Sequence, residues 1–194
     1  MKTYLWKSME KNLKSAHGKI NWKVGEWQKI KGDLCMCDNG FHASEKILDS
    51  MSYVHMEILA KVEVRGYSET QSDKQCWSEM RIINAWKWNK RDSVALAIYS
   101  ADLMLDNFEK VYPNDNRPRE AIKAARKWLR DTTNKNQSAA ESAARSARSA
   151  WFAAESAARS ARSDAWSAWS AARSAAVDKI ELWVKRRTKT LEEI

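Results

Sequence analysis

The sequence predicts an α+β protein: a small N-terminal β-rich sheet module carrying one helix, followed by an all-α region. Three observations lead there. All five glycines, all three histidines and all three cysteines fall within residues 1–90. Beyond residue 90 the chain has no glycine, and its two prolines are Pro113 and Pro118. From Ser138 an alanine-rich block repeats with a period of 14 residues. The expected division is 1–90 for the small α+β module, 91–131 for a helical pair, and 132–194 for an Ala/Arg/Ser-rich region. That last region is expected to end in a long helix or a helical hairpin.

In the first part the glycines punctuate short segments, as turns do in a small sheet. Thr3-Tyr4-Leu5-Trp6 and Glu26-Trp27-Gln28-Lys29-Ile30 read as short strands. Asp38-Asn39-Gly40 is a turn signal. Ser44 is placed to cap a helix running through Val54, because Ile47, Leu48, Met51 and Val54 share one helical face. The alternation from Ile58 to Val64 is strand-like and is expected to stop at Gly66. Met80 to Trp86 reads as a further strand.

After Lys90 the pattern becomes helical. Asp92 is expected to cap a helix through about Val111, with Val94, Leu96, Ala97, Ala101, Leu105 and Phe108 inward. Tyr112 to Pro118 interrupts it, and Pro118 suits the first turn of a second helix because its missing N–H is harmless there. That helix should run to about Arg130 with Ile122, Ala125, Trp128 and Leu129 inward. Residues 131–136 form the next break. Further on, Ala140, Ala144, Ala147, Trp151, Ala154, Ala158, Ala161, Ala165, Ala168, Ala172 and Ala175 are spaced alternately by four and three, the mark of a coiled-coil seam. Alanine buries little area, so the seam needs a partner: the 92–130 helices or a second copy of the chain, making a homo-oligomer an expectation. Trp151, Trp166 and Trp169 are candidate anchors of a helical interface, since Trp and Arg dominate binding hot spots.

The same period orders the charges. Glu141 with Arg145 and Glu155 with Arg159 are i,i+4 pairs in the favourable orientation. Arg145, Arg159 and Arg173 make one row, Arg148 and Arg162 another. These five arginines outnumber the two glutamates, so the face reads either as a solvated, self-paired helix surface or as an arginine ribbon for phosphates or acidic side chains. The net charge of +9 fits an anionic partner. Eleven tryptophans serve either as core anchors or as contact surfaces. No signal-like or membrane-spanning apolar run is seen, which points to the cytoplasm with reduced thiols.

Little of the sequence carries chemistry. Cys35-Met36-Cys37 with a distant Cys76 lacks zinc-ligand spacing, so no metal and no cofactor are expected. Cys37 and His42 flank the Asp38-Asn39-Gly40 turn, as a nucleophile and base or as a buried cysteine beside a structural His42 that caps the turn. No phosphate-cradling glycine loop or hydrolase elbow occurs, and enzyme status is unsupported.

The stretch Cys37-Asp38-Asn39-Gly40-Phe41-His42-Ala43, with Leu48-Asp49, Tyr53, Val62 to Gly66, Asp73-Lys74 and Arg81-Ile82-Ile83, resembles a small module of unknown function common in phage and prophage proteins. In that module the turn often reads C-x-x-G-F-H-A-C. Gly40, Phe41 and His42 match it, whereas Ser44 replaces the second cysteine, which argues further against a metal or disulfide there. Arg91 to Ala97, Phe108-Glu109 and Asn116 to Ile122 resemble helical immunity-type proteins. The resemblances cover roughly residues 20–175 and imply a phage-encoded accessory protein, in the host cytoplasm, with counter-defence as a plausible trade.

Four functions follow as expectations. The first is a non-catalytic binder that sequesters an anionic, nucleotide-derived signal, with Arg117, Arg119, Lys74 and the Trp86/Trp88 pair as ligand-binding candidates. The second is an immunity-type inhibitor whose helical face binds an acidic host enzyme or toxin. Nucleic-acid binding is the third, with steep salt dependence as its signature. Catalysis at Cys37 and His42 is the fourth.

Overall fold

The computed structural model describes residues 2–15, 20–52, 56–142 and 164–194, the side chains of 164–173 excepted. The chain divides into two compact units, Met1–Asn89 with Val184–Ile194, and Lys90–Trp183. The architecture is mixed α+β, with an antiparallel sheet first and helices after it.

The spine of the first unit is a hairpin of two 13-residue strands, β4 (Ile58–Thr70) and β5 (Gln75–Lys87). β1 (Thr3–Met9) lies antiparallel on β4, while β2 (Gln28–Lys29) and β3 (Phe41–Ala43) pair with the far side of β5. An open edge on so long a strand invites pairing with other chains. β5 is covered almost end to end: β3 faces 75–77, β2 faces 79–80, and Gly25 donates to the Ile82 carbonyl at 2.8 Å. Beyond that, Lys87 N–H donates to Glu192 and Ile194 N–H to Ala85, both at 2.9 Å. β1 is closed from the other side, where Trp6 and Ser44 exchange two backbone bonds of 2.8 Å. The sheet therefore curls until the residue after β3 meets β1.

Alternation fills the interior. Leu5 and Met9 of β1, Ile58, Ala60, Val62 and Val64 of β4, and Met80, Ile82 and Ala85 of β5 form one core with Leu13, Trp22, Phe41 and Ala43. Full burial of each branched aliphatic side chain contributes roughly 1.5–3 kcal/mol. Outside, Arg81 opposes and pairs with Glu63 (2.6 Å), and Arg65 opposes and pairs with Glu79 (2.7 Å). Both guanidiniums lie over the Trp27 ring, Arg65 at 3.9 Å and Arg81 at 4.9 Å from its centre, so this tryptophan is tied into a cation-π ladder.

Several local expectations are corrected. Ser44 does not cap a helix; its backbone is spent on Trp6, and α1 is a short helix, Ile47–Met51, preceded by Lys46 with no side-chain cap. β4 does not stop at Gly66. The register shifts between Arg65 and Ser68, Gly66 takes φ +86°, and Tyr67 N–H is satisfied by Ser78 Oγ at 2.9 Å. Gly66 is a bulge within a continuing strand.

In the second unit α2 (Lys90–Val111) and α3 (Arg117–Arg130) form a helical hairpin, with Pro118 in the first turn of α3. Asp92 lies inside the first turn of α2, fully buried, not ahead of it. The inward stripe of α2 is Ile98, Met104 and Phe108; Ala97 and Ala101 are exposed, because alanine pays little for either environment. Ile122 and Trp128 are buried as the spacing suggested, and Ala125 and Leu129 are half-buried. Arg119 pairs with Glu109 (2.6 Å) and Arg126 with Asp102 across the hairpin. A further helix, α4, occupies residues 134–142 of the described chain. Thr133 Oγ1 accepts from Asn136 N–H at 3.3 Å, so the break is shorter than expected and ends in a cap.

The last helix, α5 (Asp164–Arg187), is followed by a short 3-10 turn, Thr188–Thr190. Ala176 is buried and Ala175 exposed, so the heptad seam does not extend to Ala175. Beyond it the bulkier Val184 takes over, fully buried. Most of the seam, with Arg145, Arg148, Arg159, Arg162 and Trp151, lies outside the described residues. So do the side chains of Trp166, Trp169 and Arg173.

Candidate functional site

Among the described residues, cysteine, histidine, lysine and glutamate side chains gather where the turn at residues 35–39 meets the β4–β5 hairpin. Cys35 and Asn39 exchange backbone bonds of 2.9 Å, and Asn39 Nδ2 donates to the Lys31 and Asp33 carbonyls. The left-handed residue of this turn is Cys37 (φ +67°). A non-glycine residue is uncommon there and must be held in place by its surroundings. Three contacts do so. Cys37 N–H donates to His42 Nε2 at 3.1 Å, Met36 N–H donates to Glu69 Oε2 at 2.9 Å, and Lys74 Nζ donates to Cys37 Sγ at 3.3 Å.

Gly40 serves a different need from the one its place in Asp38-Asn39-Gly40 suggests. Its φ is not positive; a Cβ there would lie 2.1 Å from Cys76 Sγ and 2.9 Å from Leu34 Cδ1. Only glycine lets the turn settle over the buried sulfur. Cys76 is paired in register with His42 on one side and Glu69 on the other, so three strands bring these groups into one row. Burial, helped by Glu69 and Cys37, pushes the Cys76 thiol up to about 11. It stays protonated at neutral pH, whereas Cys35 and Cys37 are exposed.

Beneath the row lies Lys7, at the inward-facing place between Leu5 and Met9. Its Nζ donates to the His42 carbonyl at 2.8 Å and lies 6.0 Å from the Trp22 ring centre. Burial holds its ammonium down to about 8, with nearby Cys76 partly opposing. His42 is also depressed, first by burial and then by Lys7 and Lys74. The imidazole is thus neutral at neutral pH, with Nε2 as the acceptor the Cys37 N–H requires. Cys37 and His42 do meet, but through the Cys37 backbone; the ring nitrogen that a catalytic pair would need as base is engaged in holding the turn. Among the described residues no three His, Cys, Asp or Glu side chains converge as metal ligands.

Within the sheet unit, the ligand-binding candidates Lys74 and Trp86 lie apart. Lys74 ends the hairpin turn, while Trp86 is near the other end of β5, roughly 40 Å away at about 3.3 Å per residue. Trp86 packs on Trp6 with ring centres 6.1 Å apart, and Trp88 is 4% exposed. Arg117 and Arg119 open α3, and each guanidinium is gripped by a carboxylate with two hydrogen bonds, Arg117 by Asp115 and Arg119 by Glu109. Arg117 lines an open concavity of about 570 Å³ with residues 111–116, Tyr112 among them. Phe41 belongs to the core. Missing from the sequence reading were Lys7 and Glu69, and Cys76 was read only as a distant cysteine; the alternation Leu5, Lys7, Met9 was the available signal for the first.

α3 carries six basic residues and one acidic residue. Lys123 pairs with Glu120, and Arg126 with Asp102. Lys127 and Arg130 are exposed and, among the described residues, form no ion pair.

Comparison with known families divides the chain near the end of β5. Residues 3–91 match the model of a domain of unknown function, DUF7666. Residues 86–178 match the family described as "Imm-5 like putative immunity protein". No curated protein and no solved structure matches the chain. No helix among the described residues is long and apolar enough to cross a membrane. The chain is thus similar over its sheet to a family without assigned activity, and over its helices to an immunity family, each match covering just under half of it.

Proposed function

We propose that the chain is an immunity-type protein that restrains an acidic partner protein by binding it with its helical unit. The observation that carries this reading is the similarity of residues 86–178, which include all of α2 and α3, to the immunity family. The charge of α3 supports it. Exposed Lys127 and Arg130 form no ion pair among the described residues, and an arginine fork or lysine at a rim steers an oppositely charged partner. The test is the charge-reversed pair Lys127→Glu with Arg130→Glu. Capture of the acidic partner by the full chain should fall at least tenfold, and should weaken with salt in the parent protein. Unchanged capture would remove α3 from the interface.

A second reading, sequestration of an anionic nucleotide-like ligand, is favoured by the concavity that Tyr112 and Arg117 share. Tyr112, whose ring packs on Phe108 with centres 5.2 Å apart, lines it beside the Arg117 fork, from which phosphate must displace Asp115. A rise in melting temperature with nucleotides supports it; an unchanged one rules it out. A phage origin and a counter-defence role belong with either reading.

A further inference from the structure

We propose that Cys37 and Lys74 are a peroxide-responsive pair that forms a covalent sulfur–nitrogen cross-link, tying the 35–39 turn to the β4–β5 hairpin. The two atoms are already 3.3 Å apart and come from separate elements. Neither side of the contact depends on a freely swinging loop. The backbone of Cys37 is fixed by His42 and that of Met36 by Glu69, while Lys74 sits in the turn closed by its own carbonyl accepting from Gln71 N–H at 2.8 Å. Cys37 is exposed, so peroxide reaches it.

The chemistry balances with hydrogen peroxide as the oxidant. The Cys37 thiolate attacks one peroxide oxygen, the O–O bond breaks, and the departing hydroxide takes a proton from the Lys74 ammonium, giving a sulfenic acid, a neutral amine and one water. The amine lone pair then attacks Sγ, the S–O bond breaks, and hydroxide leaves with an amine proton as a second water. Sulfur loses two electrons and peroxide gains them. Lys74 thus serves first as proton donor and then as nucleophile, and a thiol reductant reverses the step.

The other two thiols are poorly placed to resolve the sulfenic acid. Cys76 is buried beneath Gly40. Cys35 is two residues away in a turn whose backbone is fixed by the reciprocal Cys35–Asn39 bonds, so joining it to Cys37 requires the turn to open.

The experiment is peptide mapping of the full chain after hydrogen peroxide, with digestion by a protease that does not cut at lysine. A species joining the Cys37 and Lys74 peptides is expected, lighter than their sum by two hydrogens, about 2 Da, and lost on treatment with dithiothreitol. Lys74→Arg keeps the cation and should abolish that species while Cys37 still oxidises. The proposal is overturned if Cys37 stays unmodified, if it appears as a disulfide with Cys35 or Cys76, or if the cross-linked mass survives in Lys74→Arg.

Discussion

In the sheet unit, Met9, Ala60, Val62, Met80 and Ile82 are wholly enclosed, and they come from strands separated by as much as seventy residues of chain. In the helical unit Phe108 is the most buried apolar side chain described, and part of what joins α2 to α3 is a set of ion pairs on the surface. The first unit is specified by burial and register, so a single lost methylene matters there. Helix propensity, a narrow apolar stripe and charge specify the second. Surface ion pairs are worth little individually, and that contrast is open to direct attack.

The largest effect is expected from Ile82→Ala, about 2–5 kcal/mol of lost stability by denaturant unfolding, because it removes a fully enclosed side chain from the centre of β5. Gly40→Ala comes next, at about 1–3 kcal/mol, since the added carbon meets the Cys76 sulfur. Combining it with Cys76→Ala should recover part of that loss, a non-additivity that marks direct contact. Smaller still is the pH dependence. Lys7 and His42 are both depressed, so the unfolded chain binds more protons and stability rises with pH. For His42 the stability is lost as pH falls below 6.5; for Lys7 it grows from about 8 upward until, past 9.0, the raised Cys76 thiol acts in the opposite sense. His42→Gln should flatten the acidic part of a plot of unfolding midpoint against pH, leaving the part above 8 unchanged. Least of all is Arg126→Ala, expected to cost less than about 1 kcal/mol although it breaks a close ion pair between α2 and α3. A loss as large as that of Ile82→Ala would erase the distinction between the two units.

The same contrast governs what the sequence made legible. The helices of the second unit were readable because propensity and prolines act locally, and Pro118 landed in the first turn of α3. The alternation of Ile58 to Val64 gave half of β4. The other half was hidden, since Gly66 reads as a stop and acts as a bulge only when Ser78 of β5 is there to satisfy Tyr67. Likewise the first part of β5, Gln75 to Glu79, is too polar to announce itself; its strand character comes from pairing with β3 and β4. At the candidate site the meeting of Cys37 with His42 was legible from their place around one turn. That Lys74 reaches the Cys37 sulfur depends on the hairpin turn meeting the 35–39 turn, a contact between segments some forty residues apart that no local pattern announces. Arg117 and Arg119 were recognised as forks, but the carboxylates that grip them, Asp115 and Glu109, were not assigned to them.

The most direct test of the immunity-type reading is native mass spectrometry of the chain purified, without stripping, from cells that naturally make it. The account predicts a stoichiometric complex with an acidic polypeptide, lost in the Lys127→Glu, Arg130→Glu variant. A chain carrying only a nucleotide-sized mass, or no polypeptide at all, would contradict it.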